Sequence, residues 1–105
     1  MAKLITVYWR DIPAQVIGKA GRTTFKKQLS DRFQQAIDRA AMRAGRGSSD
    51  AYLSEWRREY REVAMADLKA EVDRVAKDFE ATMSDEELQR LVRSKGHKSA
   101  TPGEE

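Results

Sequence analysis

The first apolar run, Leu4-Ile5-Thr6-Val7-Tyr8-Trp9, is built of β-branched and aromatic residues and predicts a strand. Ile5, Val7 and Trp9 alternate with Leu4 and Tyr8, so both faces are apolar, as in a central strand. Arg10, Asp11, Ile12 and Pro13 interrupt the run. Pro13 fixes φ and has no N–H, and Asp11 can bond its own following backbone, so the turn is expected there. Gln15-Val16-Ile17 resumes the extended pattern up to Gly18, which makes a β-hairpin over residues 3–19.

Residues 20–28, with Arg22, Lys26 and Lys27, read as a basic connecting loop. Ser30 and Asp31 then give a helix start, a capping side chain followed by a first-turn anion. Phe33, Ile37, Ala40, Ala41 and Ala44 follow at helical spacing and Gly45 supplies the stop, so a helix is predicted over 30–44. Its small alanine face suits close approach to a sheet.

After a flexible loop at 45–50, the segment from Tyr52 to Val63 fits two periods. As a strand it places Tyr52, Trp56 and Tyr60 on one face and Glu55, Arg57, Glu59 and Arg61 on the other. As a helix, Leu53, Trp56, Tyr60 and Val63 form a stripe that runs on into the next element. The strand reading is preferred, because a two-stranded hairpin alone is marginal and a third strand completes a sheet. Leu68, Val72, Val75, Ala76, Phe79 and Met83 predict an amphipathic helix over 66–82. Ser84 with Glu87 fits a capping box that opens a short helix carrying Leu88, Leu91 and Val92. From residue 94 the chain offers almost nothing to bury, and a disordered tail is expected over 94–105. The expected fold is a single α+β domain over residues 1–93, in the order β-β-α-β-α-α, with helices on one face of a small antiparallel sheet.

Composition narrows the chemistry. The chain has no cysteine, which excludes disulfides, thiolate metal sites and thiol nucleophiles and fits a reducing compartment. Leu4 to Trp9 is too short for a signal sequence or a membrane span, so a cytoplasmic protein with no membrane partner is expected. The net charge of +3 divides into +7 over residues 1–47 and −4 over 48–105. Such a split suits folding of one half on the other, or a basic face for an acidic partner.

His97, the single histidine, falls in the expected tail, which disfavours triads and histidine-based metal sites. No glycine pattern cradles phosphate, and no catalytic residue, cofactor or metal is expected. The candidate site is therefore a protein-partner surface at the hairpin: Tyr8, Trp9, Arg10, Asp11, Pro13 and Gln15. Aromatic rings, a planar cation and an amide beside a rigid turn are what interfaces favour. The alternative is a nucleic-acid flank made of Arg22, Lys26, Lys27, Arg32, Arg39, Arg43 and Arg46.

The stretch from Ile5 to Val16, the segment Arg32 to Met42 and the segment Tyr52 to Arg57 together resemble the small "virulence factor" family of alphaproteobacteria. The resemblance covers residues 3–93 and is most specific from Tyr8 to Val16. Members of that family are frequent genomic neighbours of one-carbon enzymes such as methylenetetrahydrofolate reductases and corrinoid-dependent methyltransferases, so the resemblance implies an association with them. It implies no catalytic residue. With no catalytic constellation among the residues, the expected role is that of a non-enzymatic accessory or partner protein.

Overall fold

The computed structural model describes residues 2–45 and 48–97. Strands β1 (Ala2–Trp9), β2 (Ile12–Ala20) and β3 (Thr23–Gln28) precede helices α1 (Asp31–Arg43) and α2 (Ser49–Leu53). Strand β4 (Trp56–Val63), a single 3-10 turn (Met65–Asp67) and helices α3 (Leu68–Thr82) and α4 (Asp85–Arg93) come next. The sheet is antiparallel throughout in the order β3-β2-β1-β4, which makes β1 central as its two apolar faces require. The fold is the expected α+β class, with one more strand and one more short helix than the sequence pattern indicates.

The extra strand is β3, where a basic loop was expected. Only Phe25 among its residues is partly buried; the other five are exposed. An edge strand of that kind has no alternation to read. Pairing with β2 (Ile17 opposite Lys26, Gly18 opposite Phe25) makes it extended. Gly21, at φ +58°, forms the β2–β3 turn.

The hairpin turn also lies elsewhere than expected. Arg10 and Asp11 alone form it, with Arg10 in the left-handed region at φ +53°, and Pro13 is already inside β2, opposite Tyr8. The register shifts between Val7 and Tyr8, leaving Ala14 as an extra residue on β2. Proline is tolerated in a strand beside such a bulge, where a ladder bond is missing anyway. Trp9 was expected beside Ile5 and Val7, yet it is fully buried in the main core with Leu4 and Ile12. It stands at the hairpin end of β1, opposite Ile12 and past the register shift.

The strand reading of the ambiguous segment holds for residues 56–63. Tyr52 is a correction: it ends up in α2, not in the strand, and turns its ring onto Trp9.

The main core lies between the sheet and the helices, with Trp9, Ile12, Phe33, Ile37 and Leu91 as its largest enclosed side chains. Helix α3 crosses β2 at Gly18, where a Cβ would stand 2.7 Å from Val72 and 2.8 Å from Leu68. Glycine there lets the helix approach the strand closely. Helix α1 spends its alanine face mainly on α4, and also on β2, rather than on the sheet alone. The opposite sheet face carries a second, strand-only cluster of Ile5, Val7 and Ile17, touched by Trp56.

Two helix starts were legible. Ser84 caps α4 by accepting from the Glu87 N–H at 3.1 Å. Ser30 begins α1 without capping it: its N–H and hydroxyl both donate to the Glu80 carboxylate, at 2.7 and 2.9 Å. Arg32 reaches the same carboxylate at 3.2 Å and Asp85 at 3.2 Å, which ties α1 to the α3–α4 junction.

The expected tail is described only over residues 94–97. Ser94, Lys95 and Gly96 form a turn against the hairpin, and residues 98–105 lie outside the described residues. The segment docks through backbone carbonyls, which a search for apolar side chains does not detect.

Candidate functional site

The β1–β2 turn has two sides with different roles. On one side the Arg10 guanidinium donates to the Lys95 carbonyl at 2.8 Å, pairs with Glu55 at 3.3 Å and stacks on the Trp9 ring at 5.2 Å. The Asp11 N–H donates to the Gly96 carbonyl at 2.9 Å, and the Arg10 N–H to the Glu55 carbonyl at 3.1 Å. The Arg10 side chain is only 10 % exposed. This side is internal bracing.

The other side is a cleft of about 380 Å³. Pro13, Phe79, Met83 and Leu91 supply its apolar lining, and Tyr8, Asp11, Arg57, Glu59 and Glu87 its polar groups. Its volume falls in the range of small-ligand and side-chain pockets. The hairpin brings Tyr8, Asp11 and Pro13; β4 brings Arg57 and Glu59; α3 ends over it with Phe79; and α4 closes it with Glu87 and Leu91.

Arg57 organises the rim. It lies over the Tyr8 ring at 4.4 Å, bonds Asp11 at 2.9 Å, donates from Nε to the Arg10 carbonyl at 2.7 Å and pairs with Glu59. Tyr8 in turn meets Phe79 edge to face at 6.2 Å. Burial, followed by the nearby Glu59 charge, pushes the Tyr8 phenol above its ordinary pKa despite Arg57, so it stays protonated at neutral pH. The cleft thus offers an apolar slot, a neutral phenol and a rim with three carboxylates to one guanidinium.

Of the six hairpin candidates, Tyr8, Asp11 and Pro13 line this cleft. Trp9 and Arg10 lie on the braced side, and Gln15 stands on β2 between Val7 and Gln28, on the sheet face that carries Ile17. The sequence reading missed Arg57, Glu59, Phe79, Met83, Glu87 and Leu91. Phe79, Met83 and Leu91 carried the helical periodicity of core residues, and nothing local marks the place where that stripe runs out into a cleft.

The basic candidates fall into two groups. Arg22, Lys26 and Lys27 belong to β3 and the turn before it, while Arg32, Arg39 and Arg43 lie along α1. Arg32 is engaged with Glu80 and Asp85 and stacks on Phe33 at 4.7 Å. Arg46 lies outside the described residues. Among the described residues no cluster of His, Cys, Asp or Glu could hold a metal ion, and no helix is long and apolar enough to cross a membrane.

A four-stranded antiparallel sheet with helices against one face, and a mixed cleft at the hairpin end, define a small α+β domain. The chain belongs to the family described as "Virulence factor", whose model matches residues 7–92. No curated protein and no solved structure matches it.

Proposed function

We propose that this domain is a non-enzymatic accessory module that docks a protein partner, with the cleft beside Tyr8 as its receptor. The carrying observation is the lining itself: an apolar slot of side-chain size framed by Asp11, Glu59, Glu87 and Arg57. Such a site suits an apolar anchor residue flanked by Lys or Arg on the partner. Asp11 and Glu59 are both engaged with Arg57, and Tyr8 holds its proton, which favours recognition over proton transfer.

The one-carbon enzymes implied by the family resemblance are the first partners to test. Purified methylenetetrahydrofolate reductase and corrinoid-dependent methyltransferase would each be titrated with the wild-type chain and with Met83→Asp, which puts a charge into the apolar slot. Binding to one of them, weakened at least about tenfold by Met83→Asp, is the expected result. Binding unchanged by Met83→Asp would remove the cleft from the interface. Salt-sensitive binding to generic DNA or RNA instead would favour the nucleic-acid alternative.

A further inference from the structure

Strand β4 is the last strand of the sheet, and residues 57–62, Arg57-Arg58-Glu59-Tyr60-Arg61-Glu62, are all exposed. Charged residues on an edge strand ordinarily discourage pairing with other chains. Here the charges are arranged symmetrically about Tyr60, an exposed large aromatic residue at 62 %. Two places before Tyr60 stands Arg58 and two places after it Glu62; one place before stands Glu59 and one after Arg61. Laid antiparallel on a second copy of itself, the strand is therefore self-complementary.

The backbone has the right phase for such pairing. The Arg10 N–H donates to the Glu55 carbonyl, which extends the β1–β4 register by one position beyond Trp9 opposite Trp56. Inter-strand bonds alternate along an antiparallel pair, so the odd residues of β4, Arg57, Glu59, Arg61 and Val63, bond to β1. Their even neighbours Trp56, Arg58, Tyr60 and Glu62 turn N–H and C=O outward. The tight turn at Arg10–Asp11 gives the same phase, since the residues flanking a two-residue turn, Trp9 and Ile12, bond each other and leave the even residues of β1 for β4.

We propose that β4 pairs antiparallel with β4 of a second copy of this chain, Tyr60 opposite Tyr60, to make one sheet continuous across a two-fold dimer. In this register Arg58 faces Glu62 of the second copy and Glu59 faces its Arg61, each pair occurring twice by symmetry. A slip of one residue breaks the hydrogen-bond phase. A slip of two brings Glu59 against Glu59, or Arg61 against Arg61. Only one register satisfies both backbone and charge, so the edge is closed to most strands and open to its own copy. The two-fold axis stands normal to the sheet, so both sets of helices lie on the same side and Arg61 of one copy joins the Glu59 rim of the other's cleft.

The test is the mass of the full chain by sedimentation equilibrium, from about 1 µM to about 1 mM. A concentration-dependent dimer is expected, weakened at least about tenfold by Arg58→Glu and restored when Glu62→Arg is added. The chain has no cysteine, so Tyr60→Cys should oxidise to a covalent dimer, the two Cα atoms of a bonded pair lying about 5.5 Å apart. A monomer over the whole range would overturn the proposal. A dimer indifferent to Arg58→Glu would place the contact elsewhere, and failure of the double change to restore it would refute the register. Circular dichroism of each variant shows that the fold persists.

Discussion

Trp9 and Tyr52 stack with ring centroids 5.9 Å apart, and the Trp9 indole N–H donates to the Tyr52 carbonyl at 2.9 Å. A residue at the end of a strand and one in a five-residue helix are thereby locked together across the chain. Trp9→Phe keeps most of the ring and loses the indole hydrogen bond, while the Tyr52 carbonyl still accepts from the Glu55 N–H at 3.3 Å. The substitution should cost about 1–3 kcal/mol in urea unfolding, whereas Trp9→Ala should cost about 3–5 kcal/mol.

Arg10 and Gln15 should behave oppositely. Arg10 is enclosed and bonds Lys95 and Glu55, so Arg10→Ala should destabilise by about 1.5–3 kcal/mol. Gln15 lies half-buried on the far sheet face, and Gln15→Ala should stay within about 0.5 kcal/mol of wild type. Equal effects in chemical denaturation would contradict the division of the hairpin into a braced and an open side.

The turn at residues 94–97 should be part of the folding unit. A chain ending at Ser94 lacks the Lys95 and Gly96 carbonyls that hold Arg10 and Asp11. It should melt several degrees below a chain ending at His97. Gly96→Ala is a milder version: φ is +91° and a Cβ would stand 3.0 Å from the Trp9 ring, so a loss of about 1–2 kcal/mol is expected.

Gly18→Ala tests the crossing of α3 over β2. The added methyl would meet Val72 and Leu68 below 3.0 Å, and overpacking of this kind costs about 1–3 kcal/mol. A neutral result would mean that α3 shifts outward without loss.

Acid should loosen the α1–α3 junction. Burial raises the Glu80 pKa, but hydrogen bonds from the Ser30 N–H and hydroxyl and from Arg32 outweigh it and hold the carboxyl below its ordinary range. The unfolded chain therefore takes up this proton at a higher pH than the folded one. The contribution is full above the ordinary value of about 4.3 and is lost as pH falls through the depressed folded pKa. Urea midpoints measured down this range should fall less steeply for Glu80→Gln than for wild type.

Periodicity made α1, α3 and α4 legible, because each buries one stripe, and β1 was legible through its β-branched and aromatic residues. It failed where structure is imposed from outside. β3 is extended because β2 offers it an edge, and Tyr52 leaves the strand because Trp9 offers it a ring. The cleft was half legible for a related reason. Tyr8, Asp11 and Pro13 come from one segment, but Arg57 joins them only through the β1–β4 register, which brings residues 8 and 57 opposite each other. The burial of Trp9 in the main core, away from Ile5 and Val7, leaves no trace in hydrophobic alternation.

The sheet order has a consequence for the ribosome. β1 is made first yet needs β4, some fifty residues later, to satisfy its second edge, and the carbonyls that secure its turn belong to residues 95 and 96. A nascent chain that has released β1, β2 and β3 holds a three-stranded ribbon with an unsatisfied row of amides along Ala2–Trp9. Contacts of such long sequence separation form late. Until β4 emerges, that row is an open template for other strands, so newly made chains should depend on chaperones that shield extended segments far more than mature ones do.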